Sequence, residues 1–162
     1  MFAESEDLRQ IMRIWPSGVT VVTASVGGLQ HGMTVSSFTS ISLKPARVVV
    51  SLEKTSYTNN LVEQSGFFGI TILSKDQQAI SDRFAGRTNL LDHDRFEGLA
   101  TKVLTSGSPF LVGGLAFLDC QVVNSYDSGT HTLFIGEVIA MQKGQSGEPL
   151  LYYNQDYRSL GG

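Results

Sequence analysis

The chain has 162 residues, 12 basic against 15 acidic, a formal net charge of -3, 41% hydrophobic residues and 17 glycines. That length suits one domain, residues 1–162, able to bury about two-thirds of its unfolded surface. No basic stripe is present to release counterions from phosphates, which excludes nucleic acid as an expected partner, and charged residues at only 17% leave part of the surface to face another subunit or a flat ligand.

The lone cysteine, Cys120, cannot form an internal disulfide, so a reducing cytoplasm is the expected location. Charges among the first twenty residues, and the lack of any 18-residue apolar run, predict neither a signal peptide nor a membrane span.

Leu8, Ile11, Met12 and Trp15 recur at helical spacing and predict an amphipathic helix over 5–15, stopped by Pro16 and Gly18. Trp15 and Cys120 read as core or interface residues. Residues 19–26 form a β-branched run closed by Gly27-Gly28, a hairpin signal. Residues 32–43 and 47–52 follow as strand-like stretches around Lys44-Pro45. A short helix over 56–64 takes Ser56 as its cap, and 67–73 reads as a strand. Ser74 and Gln77 have capping-box spacing for a helix ending at Gly86.

Residues 87–114 are the least periodic, an irregular segment with a short strand near 100–104, of the kind that covers a binding site. Residues 116–126 and 132–141 are the last clear strands, joined by a tight turn. Helices do not alternate with strands, so the prediction is a mainly β fold: a small antiparallel, Greek-key-like barrel with a few short helices.

The chemistry is narrowed first by exclusion. The sequence has no phosphate-binding Gly-rich loop ending in Lys-Ser/Thr, no dinucleotide fingerprint and no nucleophile elbow. His31, His93 and His131 lie in separate segments, and no metal site is expected. Hydroxyls crowd two stretches instead, 31–42 and 51–60. Hydroxyls and open amides at strand ends and helix starts can hold a phosphate with little positive charge, and Lys54 adds one. The same residues would serve equally as surface serines and strand threonines. Arg83 and Arg87 either reach an anion or complement a helix dipole. His131 is either a functional imidazole at a strand entrance or an exposed turn residue.

Taken in order, "MRIWPSGVTVVTA", "HGMTVSSFTSISLKPARVVVSLEKTS", "ISDRFAG", "GTHTLFIGEV" and "PLLYYNQDYRSL" resemble the flavin reductase-like, FMN-binding split-barrel family. This family includes reductase components of two-component aromatic monooxygenases. The resemblance implies a homodimer that binds FMN or FAD, with NADH or NADPH passing a hydride to flavin N5. Reduced flavin would then diffuse to a separate monooxygenase.

By position, Met33, Thr34, Val35, Ser36 and Ser37 would lie along the ring and ribityl chain. Ser51, Leu52, Glu53, Lys54 and Ser56 would contact the ring edge and phosphate. Phe84, Ala85 and Gly86 would close over the flavin, with Arg87 or Lys54 supplying charge to the phosphate. His131 would meet the nicotinamide or the flavin edge as the catalytic residue, although Thr130 stands where the family commonly has aspartate. The adenine pocket of FAD would fall in 87–114. The alternative is a flavoprotein of the same fold that keeps its flavin and reduces another acceptor, or a non-enzymatic electron carrier.

Overall fold

The computed structural model describes residues 2–91 and 95–161. The chain enters through helix α1 (Ser5–Met12) and a two-residue strand, β1 (Ser17–Gly18). The helix stops short of Trp15 because the amides of Arg13, Ile14 and Trp15 bond to carbonyls three residues back, winding the last turn more tightly ahead of Pro16. No residue of α1 is buried, and Trp15 is 68% exposed, which removes the core half of its core-or-interface reading.

The β-branched run becomes β2 (Thr20–Val26), which pairs with β3 (Leu29–Val35) across Gly27 and Gly28. Both glycines have positive φ, 56° and 86°, as a two-residue hairpin turn with the sheet's own twist requires. The stretch 32–43 is not one strand. It breaks at Ser36-Ser37 into β3 and β4 (Phe38–Leu43), because the Ser37 hydroxyl donates to the Ser51 carbonyl at 2.9 Å and accepts from the Ser51 amide at 3.3 Å. These side-chain bonds compete with the backbone bond from the Ser51 amide to the Ser37 carbonyl, 3.3 Å, and the backbone turns.

β5 (Ala46–Glu53), α2 (Tyr57–Ser65) and β6 (Phe67–Ile72) follow, then α3 (Gln78–Phe84), entered through a short 3₁₀ turn in which the Gln77 side chain accepts from the Ser74 amide at 3.0 Å. β7 (Thr101–Lys102) and β8 (Phe110–Leu111) form a small ladder within the irregular segment. The long hairpin β9 (Ala116–Ser128) and β10 (His131–Lys143) turns through Gly129-Thr130. Two short strands that the sequence reading did not predict, β11 (Leu151–Tyr153) and β12 (Asp156–Arg158), form a three-stranded sheet with β1.

The main sheet is antiparallel, in the order β3-β2-β6-β9-β10-β5-β4. Its two edge strands, β3 and β4, are joined by only two residues yet do not pair with each other. The sheet therefore curls round to meet itself and stays open at that seam, which is the split barrel expected of the family.

Inside lie Val22, Val48, Val50, Leu52, Phe68, Ile70, Cys120 and Phe134, with Leu61 and Val62 of α2 packed among them. Val19 and Val21, beside the inward Val22, pack on a second cluster with Leu73, Phe84, Phe96, Leu111 and Leu150. β2 is thus buried on both faces, which explains its unbroken apolar run. Burial, with Asp119 alongside, pushes the Cys120 thiol up to about 12, leaving it unreactive. The buried Asp119 carboxylate accepts from the amides of Thr105 and Ser106, both at 2.7 Å, and so pins the irregular segment to β9. Among the described residues no helix is long and apolar enough to cross a membrane.

Candidate functional site at the barrel seam

Three clefts run one into the next along β3. The first, about 350 Å³, opens between β3 and the start of α2. Its walls are His31, Met33 and Thr34 on one side and Glu53, Thr55, Ser56 and Tyr57 on the other, with Phe84, Ala85 and Arg95 across one end. Thr34 and Ala85 are shared with a second cleft of about 140 Å³, which adds Ser36, Arg87, Tyr152 and Tyr157. Ser36 and Tyr152 are shared in turn with a third, of about 710 Å³, between α1 and the β11–β12 turn. From His31 to Ser36 the strand covers roughly 17 Å at its usual rise, comparable to the length of a flavin mononucleotide.

At the first cleft the Ser56 hydroxyl is already committed. It caps α2 by accepting from the Asn59 amide at 3.2 Å and donates to the Glu53 carbonyl at 2.7 Å. What it leaves for a ligand is the positive end of the helix, whose first amides, at Tyr57 and Thr58, have no intrahelical acceptor. The buried His31 holds α2 in place through Nδ1, 2.7 Å from Thr58 Oγ1, and meets the Tyr57 ring edge-on. Arg95 Nη1 donates at 2.9 Å to both the Gly32 and Phe84 carbonyls, bringing a guanidinium from the irregular segment to the cleft wall.

Gly32 has no room for a side chain, because a Cβ there would sit 2.9 Å from Phe84 Cε1. α3 ends at Gly86 in the left-handed conformation, φ 71°. The Gly86 amide bonds to the Arg83 carbonyl and the Arg87 amide to the Asp82 carbonyl. That ending swings Arg87 toward the tail of the chain. Its guanidinium lies over the Tyr152 ring, 5.8 Å from the centroid, and donates to the Tyr152 hydroxyl at 3.4 Å and to Asp82 Oδ1 at 3.3 Å. The hydrogen bond with Tyr152 raises the Arg87 pKa, so the group stays charged throughout the working range. Tyr157 donates to Asp82 Oδ1 at 2.9 Å and lies 2.8 Å from Ser81 Oγ, and its burial raises the phenol pKa. Thr34 Oγ1 donates to the Ser81 carbonyl at 2.6 Å, completing a tie between β3, α3 and β12.

Of the residues expected from the sequence, Met33, Thr34, Glu53, Ser56, Phe84 and Ala85 meet at the first cleft, Ser36 and Arg87 at the second, and Ser37 at the third. Others are placed differently. The Val35 and Leu52 side chains point into the barrel core, where alternation along β3 and β5 puts them, so they present only backbone. Ser51, Lys54, Gly86 and His131 line none of these clefts. The Lys54 ammonium is engaged by Asp127 across the hairpin end, holding that carboxyl below the usual range. His131 sits opposite Glu53 in the ladder, on the outer face of the sheet, with Nδ1 2.8 Å from Thr130 Oγ1. His93 lies outside the described residues. The sequence reading missed Arg95, Tyr57, Tyr152 and Tyr157, none of which carries a local signal for this site.

Residues 12–161 match the flavin reductase like domain. The chain is 38% identical over 156 residues to an NADH-dependent flavin reductase of a Rhodococcus species, covering 94% of this chain and 85% of that protein. It is 34% identical to the reductase component of 4-hydroxyphenylacetate 3-monooxygenase of Thermus thermophilus, covering 96% of each. The native-state structure of flavin reductase PheA2 superposes with a TM-score of 0.89 at 35% identity, covering 98% of this chain and 99% of that one. A split barrel with an anion-ready helix end at its seam and sequence agreement over nearly its whole length place this chain in the flavin reductase-like family.

Proposed function

We propose that the first two clefts take the flavin mononucleotide unit, of FMN itself or of FAD, with its phosphate at the amino end of α2 and its ring and ribityl chain along Met33 to Ser36. The observation that carries this is the open end of α2, whose Ser56 cap is internally satisfied, facing Met33 and Thr34 in one cleft beside the Arg95 guanidinium. The reaction class follows from family membership: the chain is an NAD(P)H-dependent flavin reductase that supplies reduced flavin to a partner monooxygenase.

The protein's work in this step is chiefly positional. Stacking the nicotinamide on the exposed flavin face brings its C4 to N5, and one hydride moves two electrons and a proton with no general base. His131, beside Glu53 at the outer rim, positions the nicotinamide. Phe84 is buried against Phe96 and forms the wall behind the ring, while Ala85 closes over it.

The chain acts as a homodimer in the cytoplasm. A compact chain of this mass exposes about 7,900 Å², whereas this one exposes 9356 Å². Leu8 and Ile11 on α1 and Ile41 and Leu43 on β4 stand in solvent as a second copy's contact surface would. Flavin leaves reduced and reaches the oxygenase by diffusion. Desalting tests this: colourless protein that oxidises NADH only when flavin is added is expected, and protein that stays yellow and ignores added flavin would refute the substrate role.

A further inference from the structure

The end wall of the first cleft holds a guanidinium whose closest bonds are to the protein's own backbone. Arg95 Nη1 donates at 2.9 Å to the Gly32 carbonyl and at 2.9 Å to the Phe84 carbonyl. Both protons of that nitrogen are thereby used within the chain.

The two carbonyls belong to the two walls of the flavin slot. Gly32 is on β3, an edge strand of the main sheet, one residue ahead of Met33 and the proposed flavin track. Phe84 is the last residue of α3, and its ring lines the same cleft. These walls stand as close as they can, since a Cβ on Gly32 would meet Phe84 Cε1 at 2.9 Å.

The residues after Arg95 grip the same helix end. Phe96 sets its ring edge-on to that of Phe84, with centroids 5.0 Å apart, and the Glu97 carbonyl accepts from Arg83 Nη1 at 2.7 Å. Three successive residues of the irregular segment therefore hold α3 by a backbone carbonyl, by its terminal ring and by its last-turn arginine. Of the three, Arg95 also reaches β3. Its Nη2 lies against Gly86, where a Cβ would sit 3.3 Å from it. An ionised donor makes the stronger kind of hydrogen bond, and the planar fork holds its geometry at little further entropy cost.

We propose that Arg95 is a positioning residue for the flavin ring: by tying the Gly32 carbonyl of β3 to the Phe84 carbonyl of α3, it sets the spacing between the strand the ring lies along and the phenyl wall behind it. The assignment rests on the flavin reading above and gives the irregular segment a defined task, the width of the slot. A supporting residue of this kind acts through geometry, because a site about 1 Å too loose loses its fit. Grip on the ring is therefore what an Arg95 variant gives up, whether or not the ligand carries a phosphate.

Riboflavin, which has the ring and no phosphate, is the probe. Fluorescence titrations compare flavin-stripped wild type, Arg95→Ala and Arg95→Lys, with melting temperature as the check on folding. Arg95→Ala should lose about tenfold in riboflavin affinity, the scale of one charge-assisted hydrogen bond, and at least as much for FMN. Guanidinium ion in solution should restore riboflavin binding to Arg95→Ala, and potassium at the same ionic strength should not. Arg95→Lys keeps the charge without the planar fork, so it too should bind riboflavin more weakly than the wild type, and it decides alone if Arg95→Ala does not fold. Unchanged riboflavin affinity in a folded variant, whatever happens to FMN, would overturn the proposal. So would a loss in folded Arg95→Ala that guanidinium does not restore. A wild type that binds neither flavin, or that does not reduce FMN with NADH, would instead overturn the functional reading beneath it.

Discussion

Replacing Gly32 with alanine probes the join between core and site. The new Cβ would lie 2.9 Å from Phe84 Cε1, 3.0 Å from Phe84 Cδ1 and 3.0 Å from Thr23 Cγ2. Carbon atoms pack comfortably at about 3.5–4.0 Å. Neither neighbour gives way easily: Phe84 is fully buried and set edge-on against Phe96 at 5.0 Å, and Thr23 donates to the Pro109 carbonyl at 2.6 Å. Overpacking of this kind costs about 1–3 kcal/mol. At about 2 kcal/mol the melting temperature of a chain this size falls by roughly 4–8 °C. Calorimetry measures the loss, and fluorescence titration should show weaker flavin binding as Phe84 is driven toward the cleft. Phe84→Leu alone opens a cavity and also destabilises, but combined with Gly32→Ala it gives the methyl room. The double variant should therefore be more stable than the sum of the two by at least about 1 kcal/mol. Strictly additive losses, or a Gly32→Ala protein as stable as the wild type, would refute the packing argument.

Lys54→Ala should change the preference for FMN over riboflavin by less than about threefold, because its charge is engaged by Asp127 and it lines none of the three clefts; a tenfold loss would place it on the phosphate. Tyr157 should ionise late, above the ordinary phenol range, because burial disfavours its charged form. Its folded pKa is raised above the unfolded value of about 10, so its contribution to stability is complete below that pH and is lost as pH rises through the folded value. Absorbance titration should show the late phenol vanish in Tyr157→Phe, and an unchanged profile would contradict the assignment. His131→Ala should lower kcat/KM for NADH by about tenfold with little change in melting temperature; identical hydride-transfer rates in mutant and wild type would return His131 to an ordinary turn residue.

What could be read from the sequence is what neighbouring residues decide among themselves. The Gly27-Gly28 hairpin, the Ser56 cap, the Gln77 side chain on the Ser74 amide and the left-handed Gly86 each depend on a handful of adjacent positions, and each forms as read. The bend at Ser36-Ser37 was invisible because its cause, Ser51, lies fourteen residues on. β11 and β12 escaped because Asn154 and Gln155, rather than glycines, adopt the left-handed turn between them. In the site, the motif positions were legible but their inward or outward facing was not. Val35 and Leu52 turn into the core because strand alternation gives every second residue to the barrel. Arg95 reaches Gly32 from sixty-three positions away, a contact that no periodicity records.

The central claim, a mononucleotide held by its phosphate at the start of α2 and reduced there by direct hydride transfer, is tested most directly by anaerobic stopped-flow. Flavin-stripped protein would be mixed with NADH deuterated at C4 and with FMN or riboflavin in turn. The account predicts FMN affinity at least about tenfold above that of riboflavin, with saturable bleaching of the flavin that slows on deuteration. Equal affinity for the two flavins, or bleaching no faster than in the absence of protein, would contradict it.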